Sequence, residues 1–238
     1  MKNIFFLLLL SFCACTEKQD EMPTPPIIIG DDEMPTFQNY LALGDSYTIG
    51  QNVTEAERFP VQLIEKLNVD GFDFVSPKII AQTGWTTKNL QTNIASENIE
   101  GQTFDIVSLL IGVNNQFQGR DIEEYKTEFT ELLEQAITFA NNDEDKVFVI
   151  SIPDYAFTPF GQSSGNAETI SLEIDAFNAA CKDITEAKGV VFFNITPISR
   201  QGLDEPELVA SDNLHPSAEQ YRRWTASFYE EVKSLIVD

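Results

Sequence analysis

Leu41-Ala42-Leu43-Gly44-Asp45-Ser46-Tyr47-Thr48-Ile49-Gly50 joins an apolar run to a small polar turn. Its first part continues an apolar run from Asn39 and reads as a buried strand ending at Gly44-Asp45-Ser46. The glycine and two small polar residues read as a tight turn. Such a turn presents the Ser46 hydroxyl at the end of a strand. The plainer reading is a serine capping the next helix, a position that favours serine. The two readings are compatible, because a helix start also offers free backbone N–H groups. A serine hydroxyl is a weak nucleophile until a base stands beside it. Its partners must come from elsewhere in the chain.

Outward from this stretch, two kinds of segment alternate. Ala56–Leu67 reads as a helix, with Phe59, Leu63 and Leu67 on one face. Phe72–Ser76 reads as a short strand before Pro77. Asp105–Ile111 is apolar nearly throughout, as a central parallel strand is. Ile122–Ala140 carries a helical stripe of Ile122, Tyr125, Phe129, Leu132, Ala136 and Phe139. Val147–Ile152 and Gly189–Ile195 read as strands, and Ser171–Lys188 as a helix between them. A last helix runs from Ser217 to about Leu235, striped by Tyr221, Trp224, Phe228 and Val232. Strands separated by long helices predict a parallel sheet covered on both faces, a three-layer α/β/α sandwich. Sites in such sheets form beyond the carboxyl ends of the strands. Ser46, Asn114 and Asp154 all fall just past such ends.

The chain carries 38 acidic and 15 basic side chains, a formal net charge of -23. It has no cluster of Lys and Arg of the kind that binds a nucleic acid backbone, so no nucleic acid partner is expected. Lys2, the apolar run Ile4–Leu10 and the small Ala14 describe an export signal. The run is shorter than the about 20 residues of a membrane span. Phe12-Cys13-Ala14-Cys15 resembles a bacterial lipoprotein box. Residues 1–14 are then a signal peptide, with Cys15 lipidated and holding an exported protein at a bacterial membrane. Residues 15–36, rich in proline and acidic residues, read as a tether. Residues 37–238 form one domain. Cys181 is then left alone in the helical stripe Ile174, Phe177, Cys181, Ile184, where it reads as a small buried hydrophobe.

His215 is the only histidine. One histidine and one spare cysteine are a poor basis for a zinc site, so no metal is expected. There is no EF-hand, phosphate-loop or G-x-G-x-x-G pattern. Asp212 precedes His215 by three residues, in Asp212-Asn213-Leu214-His215-Pro216. In a turn, that spacing lets the carboxylate hold one ring nitrogen while the other faces a nucleophile. Pro216 suits the start of the last helix. The plainer reading of His215 is a surface residue beside a helix start. Gly161-Gln162-Ser163-Ser164-Gly165 matches G-x-S-x-G but is separated from its strand by Asp154–Phe160, whereas a true nucleophile elbow follows the strand at once. An acyl-transfer site also needs donors for a developing oxyanion. Gly84, a loop glycine, and Asn114, just past the strand Asp105–Ile111, are candidates.

Gly44-Asp45-Ser46, Gly84, Gly112-Val113-Asn114-Asn115 and Asp212-Asn213-Leu214-His215-Pro216, in that order, resemble the SGNH or GDSL-type hydrolases from about Tyr40 to the C-terminus. The resemblance implies a flavodoxin-like α/β/α sandwich with a mostly parallel five-stranded sheet. It implies Ser46 as nucleophile, His215 as base and Asp212 as the residue orienting it. The N–H groups of Ser46 and Gly84 and the Asn114 amide would form the oxyanion hole. Gly44, Asp45 and Asn115 would be structural supports, and no cofactor is implied. Tyr47 stands where the family name has leucine, and Asn115 where aspartate is frequent. The implied activity is ester hydrolysis through an acyl-enzyme, and a small exported domain without an obvious lid favours short acyl esters such as O-acetylated carbohydrate. Lipid esters, lysophospholipids and thioesters are the alternative substrates, and an inactive binding lipoprotein on the same scaffold is the alternative function. Tyr47, Trp85, Phe117, Phe157 and Phe160 are candidates for the substrate pocket.

Overall fold

The computed structural model describes residues 37–237. The segment read as an export signal, Cys15 and the stretch read as a tether lie outside these residues. Among the described residues, five parallel strands form one sheet. Strand β1, Tyr40–Gly44, is followed by the short helix α1, Ser46–Ile49, and by α2, Phe59–Val69. Strand β2, Lys78–Ala81, leads to α3, Thr87–Ser96, and β3, Ile106–Leu110, to α4, Val113–Phe117, and α5, Ile122–Phe139. Strand β4, Val147–Ile150, precedes α6, Pro159–Ser163, and α7, Ala167–Ala187. Strand β5, Val191–Phe193, precedes α8, Thr196–Ser199, and α9, Ala218–Val237.

The sheet order is β2-β1-β3-β4-β5. Every residue of β1, β3 and β4 is buried, which is why these segments read as unbroken apolar runs. Side chains alternate between the two faces of a strand. On one face Phe148 and Phe193 meet Phe228 of α9, with ring centroids 6.0 and 5.2 Å apart. Helix α2 packs beside α9, while α3, α5 and α7 pack in sequence as a second layer. Tyr125 of α5 and Phe177 of α7 meet at 4.8 Å between centroids. The expected stripe of α9 is buried throughout, as is Cys181 on α7. This is the expected α/β/α sandwich with a five-stranded parallel sheet.

The short helices α4, α6 and α8 are not part of the sequence reading, and two further elements differ from it. Phe72–Ser76 is not a strand: Phe74 makes a single bridge to Gln38, and β2 begins after Pro77. Proline lacks an N–H, so it stands comfortably just outside a strand, and here it precedes one rather than ending one. Helix α3 was not anticipated, because only Leu90, Ile94 and Thr87 of it are buried. Its start was marked by Thr86 and Asn89, which cap each other reciprocally.

Candidate active site

The turn that carries Ser46 is set by close packing. A Cβ on Gly44 would lie 2.1 Å from Thr48 Oγ1 and 2.5 Å from the Leu110 carbonyl oxygen, so β1 can enter α1 only through a glycine. Asp45 caps α1: its Oδ1 accepts the Tyr47 N–H at 3.0 Å. Burial pushes the Asp45 carboxyl up to about 7, against the lowering effect of that hydrogen bond. Ser46 opens the helix beyond the carboxyl end of β1, with 4% of its surface exposed.

The Asp212–His215 turn folds onto itself. Asp212 Oδ1 accepts the N–H groups of Leu214 and His215, each at 3.0 Å. Asp212 Oδ2 lies 2.5 Å from His215 Nδ1, leaving Nε2 as the other ring nitrogen. Asn213 takes a left-handed φ of 64°, which asparagine tolerates, to close the turn. The His215 carbonyl accepts from Ala210 at 2.7 Å, pinning the loop ahead of α9. Partial burial works to raise the Asp212 carboxyl, but the His215 ring and the two backbone N–H groups outweigh it and hold the group below the usual carboxylate range. Asn52 also donates to Asp212 Oδ2.

The second and third blocks are tied together. Gly84 has a φ of 85°, a backbone state that favours glycine. Asn114, in α4, donates one amide hydrogen to the Trp85 carbonyl at 3.0 Å and keeps a second. Asn115 is buried and faces away from this chemistry. Its Oδ1 accepts the Thr87 N–H at 3.0 Å, and its Nδ2 donates to Thr87 Oγ1 at 2.7 Å. The Thr87 hydroxyl donates in turn to Glu128. A hydroxyl has one hydrogen, so with Glu128 present this position is suited to an amide donor rather than to a second carboxylate.

Ser46, Gly84, Asn114 and His215 line one cavity of about 250 Å³, with Tyr47, Tyr155 and Phe160 among its walls. Tyr47 supports the His215 ring at 5.5 Å between centroids. Phe117 also lines the cavity and lies 6.1 Å from Tyr155 and 6.4 Å from Phe160. The Phe160 N–H donates to the Asn213 carbonyl at 3.0 Å, joining the aromatic wall to the histidine loop. Tyr155 and Asn52 escaped the sequence reading. Tyr155 follows the end of β4 and so carried a positional signal, whereas Asn52 stood in no recognisable motif.

Of the five pocket candidates, Trp85 and Phe157 do not line this cavity. Trp85 contributes only its carbonyl, to Asn114. Phe157 packs under the Arg200 guanidinium at 5.8 Å and lines a different cleft, beside α7. Asp154 is fully buried in an ion pair with Arg200 at 3.0 Å and accepts from Ser171 at 2.6 Å. Ser163, from the G-x-S-x-G match, sits in α6 and donates to the Phe160 carbonyl at 2.7 Å.

The arrangement sets a hydroxyl, a carboxylate-held imidazole and an amide donor around a single concavity, the parts that acyl transfer requires. A model of the GDSL-like Lipase/Acylhydrolase family matches residues 42–223, a span that holds all four blocks. The chain belongs to this family. No curated protein matches the chain by sequence. Solved structures share the fold of this GDSL-like hydrolase. The lipase/acylhydrolase from Enterococcus faecalis is 22% identical, with a TM-score of 0.62 over 83% of this chain and 96% of its own. The psychrotrophic esterase EstA from Pseudoalteromonas sp., in a form inhibited by monoethylphosphonate, is 16% identical with a TM-score of 0.63, over 84% and 100% of the two chains. The acetylxylan esterase Axe2 from Geobacillus stearothermophilus is 16% identical with a TM-score of 0.61, over 82% and 94%.

Proposed function

We propose that this GDSL-like hydrolase cleaves carboxylic esters through an acyl-enzyme on Ser46, with a preference for short acyl groups. The observation that carries the reading is the gathering of Ser46, Asn114 and a His215 ring held by Asp212 around one cavity. His215 Nε2 takes the Ser46 proton as Oγ attacks the ester carbonyl. The Ser46 and Gly84 N–H groups and the second Asn114 amide hydrogen receive the oxyanion. The protonated imidazole, stabilised by Asp212, gives its proton to the departing alkoxide, which leaves as the alcohol. Water, deprotonated by the same nitrogen, then attacks the acyl-enzyme, and Ser46 recovers its proton as the acid departs.

The preference for short acyl groups follows from size. The cavity of about 250 Å³ falls below the about 300–1,000 Å³ of common small-molecule sites. At its rim, Phe117 is 58% exposed and Phe160 39%, an apolar face against which the ring of an acylated carbohydrate can lie. Axe2, an acetylxylan esterase on the same fold, adds support to this choice of alcohol.

The test is a matched panel of acetyl, butyryl and long-chain esters, run beside labelling by a fluorophosphonate. Wild type is expected to label, to turn over acetyl and butyryl esters fastest, and to lose both properties in Ser46→Ala. Undiminished labelling in Ser46→Ala removes the serine from its role. A clear preference for long acyl chains removes the short-acyl assignment.

A further inference from the structure

The turn after α1 does more than end a helix. Gly50 closes α1 with a left-handed φ of 70°, and Asn52 follows at 65°. These two residues bend the chain back across the carboxyl end of the sheet. Gln51 Oε1 then accepts the Thr83 hydroxyl at 2.6 Å, beside Gly84. The Asn52 amide donates to Asp212 Oδ2, the same oxygen that holds His215 Nδ1, across 160 residues of sequence. Among the described residues no Lys or Arg pairs with Asp212. Its Oδ1 is held by the backbone of its own turn, and Asn52 is the donor that reaches Oδ2 from another part of the chain.

We infer that Asn52 is a positioning residue for Asp212: it fixes the carboxylate so that Oδ2 holds the His215 ring in the tautomer and orientation that Ser46 requires. The inference rests on the hydrolase reading of the site. A carboxylate anchored only through its own turn can rotate its free oxygen toward solvent, whereas a donor from a second loop restricts it. Asn52 touches neither the cavity nor the reacting atoms, so its effect passes entirely through Asp212.

Asn52→Gly is the variant of choice, because glycine accepts the left-handed backbone without strain and only the amide is lost. It is expected to lower kcat about tenfold with KM changed less than about twofold, the pattern of lost transition-state support without lost substrate binding. Asn52→Ala should lose a similar factor in kcat and additionally some thermal stability. In an Asp212→Ala background the Asn52→Gly loss should vanish, since two residues acting through one interaction are not additive. Wild-type kcat in Asn52→Gly overturns the inference, and so does an undiminished tenfold loss in the Asp212→Ala background. Fluorophosphonate labelling of wild type separates the failures: labelled wild type with an indifferent Asn52→Gly sinks this inference alone, while unlabelled, inactive wild type sinks the hydrolase reading and this inference with it.

Discussion

Asp45 stands one residue before Ser46 with its carboxyl fully buried, one oxygen accepting the Tyr47 N–H and the other without a partner among the described residues. The neighbouring Thr48 hydroxyl is likewise unpartnered, and the phenols of Tyr47, Tyr125 and Tyr221 feel the Asp45 charge. Its folded value of about 7 lies above the unfolded one, so the folded state binds this proton more tightly. The stability that the proton brings is full below the unfolded value of about 3.9 and is lost as pH rises to about 7. Asp45→Asn keeps the acceptor for the Tyr47 N–H and removes the titration. Urea unfolding at about pH 5 and about pH 8 should show the variant gaining on wild type at the higher pH, by on the order of 2 kcal/mol. An unchanged difference between the two proteins would mean that Asp45 is ionised throughout. Residues of this kind set the limit of what a sequence discloses. Asp212 and His215 were legible because three residues of a single turn bring them together. Asn52 was not, because its partner is chosen by how two distant loops meet.

At the scale of elements, β1, β3 and β4 were legible because burial on both faces forces an unbroken apolar run. The edge strand β2 keeps three of its four residues partly exposed, so its pattern is diluted, and Pro77 marks its beginning rather than an end. Helix α3 is a similar case, since its position depends on polar contacts as much as on apolar ones. Asn115 of α4 and Glu128 of α5 both reach Thr87 in its first turn. Asn115→Asp should keep the acceptor for the Thr87 N–H but leave one hydroxyl hydrogen between two carboxylates. A loss of about 1–2 kcal/mol is expected by urea unfolding, the order of one forfeited buried hydrogen bond. Glu128→Gln in the same chain should restore most of it, because the new amide can donate to the Thr87 hydroxyl. If Glu128→Gln leaves the loss unrelieved, Thr87 is not the link between α4 and α5.

The whole molecule carries a formal net charge of -23, and among the described residues no Lys or Arg lines the cavity that holds Ser46 and His215. A net charge of this size is expected to repel an anionic ester, and the cavity walls offer no Lys or Arg to offset that repulsion. The field is summed over many exposed carboxylates, so no single substitution removes it, but salt does, with a Debye length of about 10 Å at about 0.1 M. A neutral acetyl ester and an anionic one of matched size and leaving group should therefore differ in kcat/KM at low ionic strength, with the neutral ester ahead. Raising the salt to about 0.15 M should bring the anionic ester toward the neutral one and leave the neutral one nearly unchanged, because charge steers encounter rather than chemistry. The comparison is made on kcat/KM, which reports encounter, with kcat as the control expected to stay flat. Equal salt responses of the two esters would show that the local potential at the cavity is decoupled from the charge of the molecule as a whole.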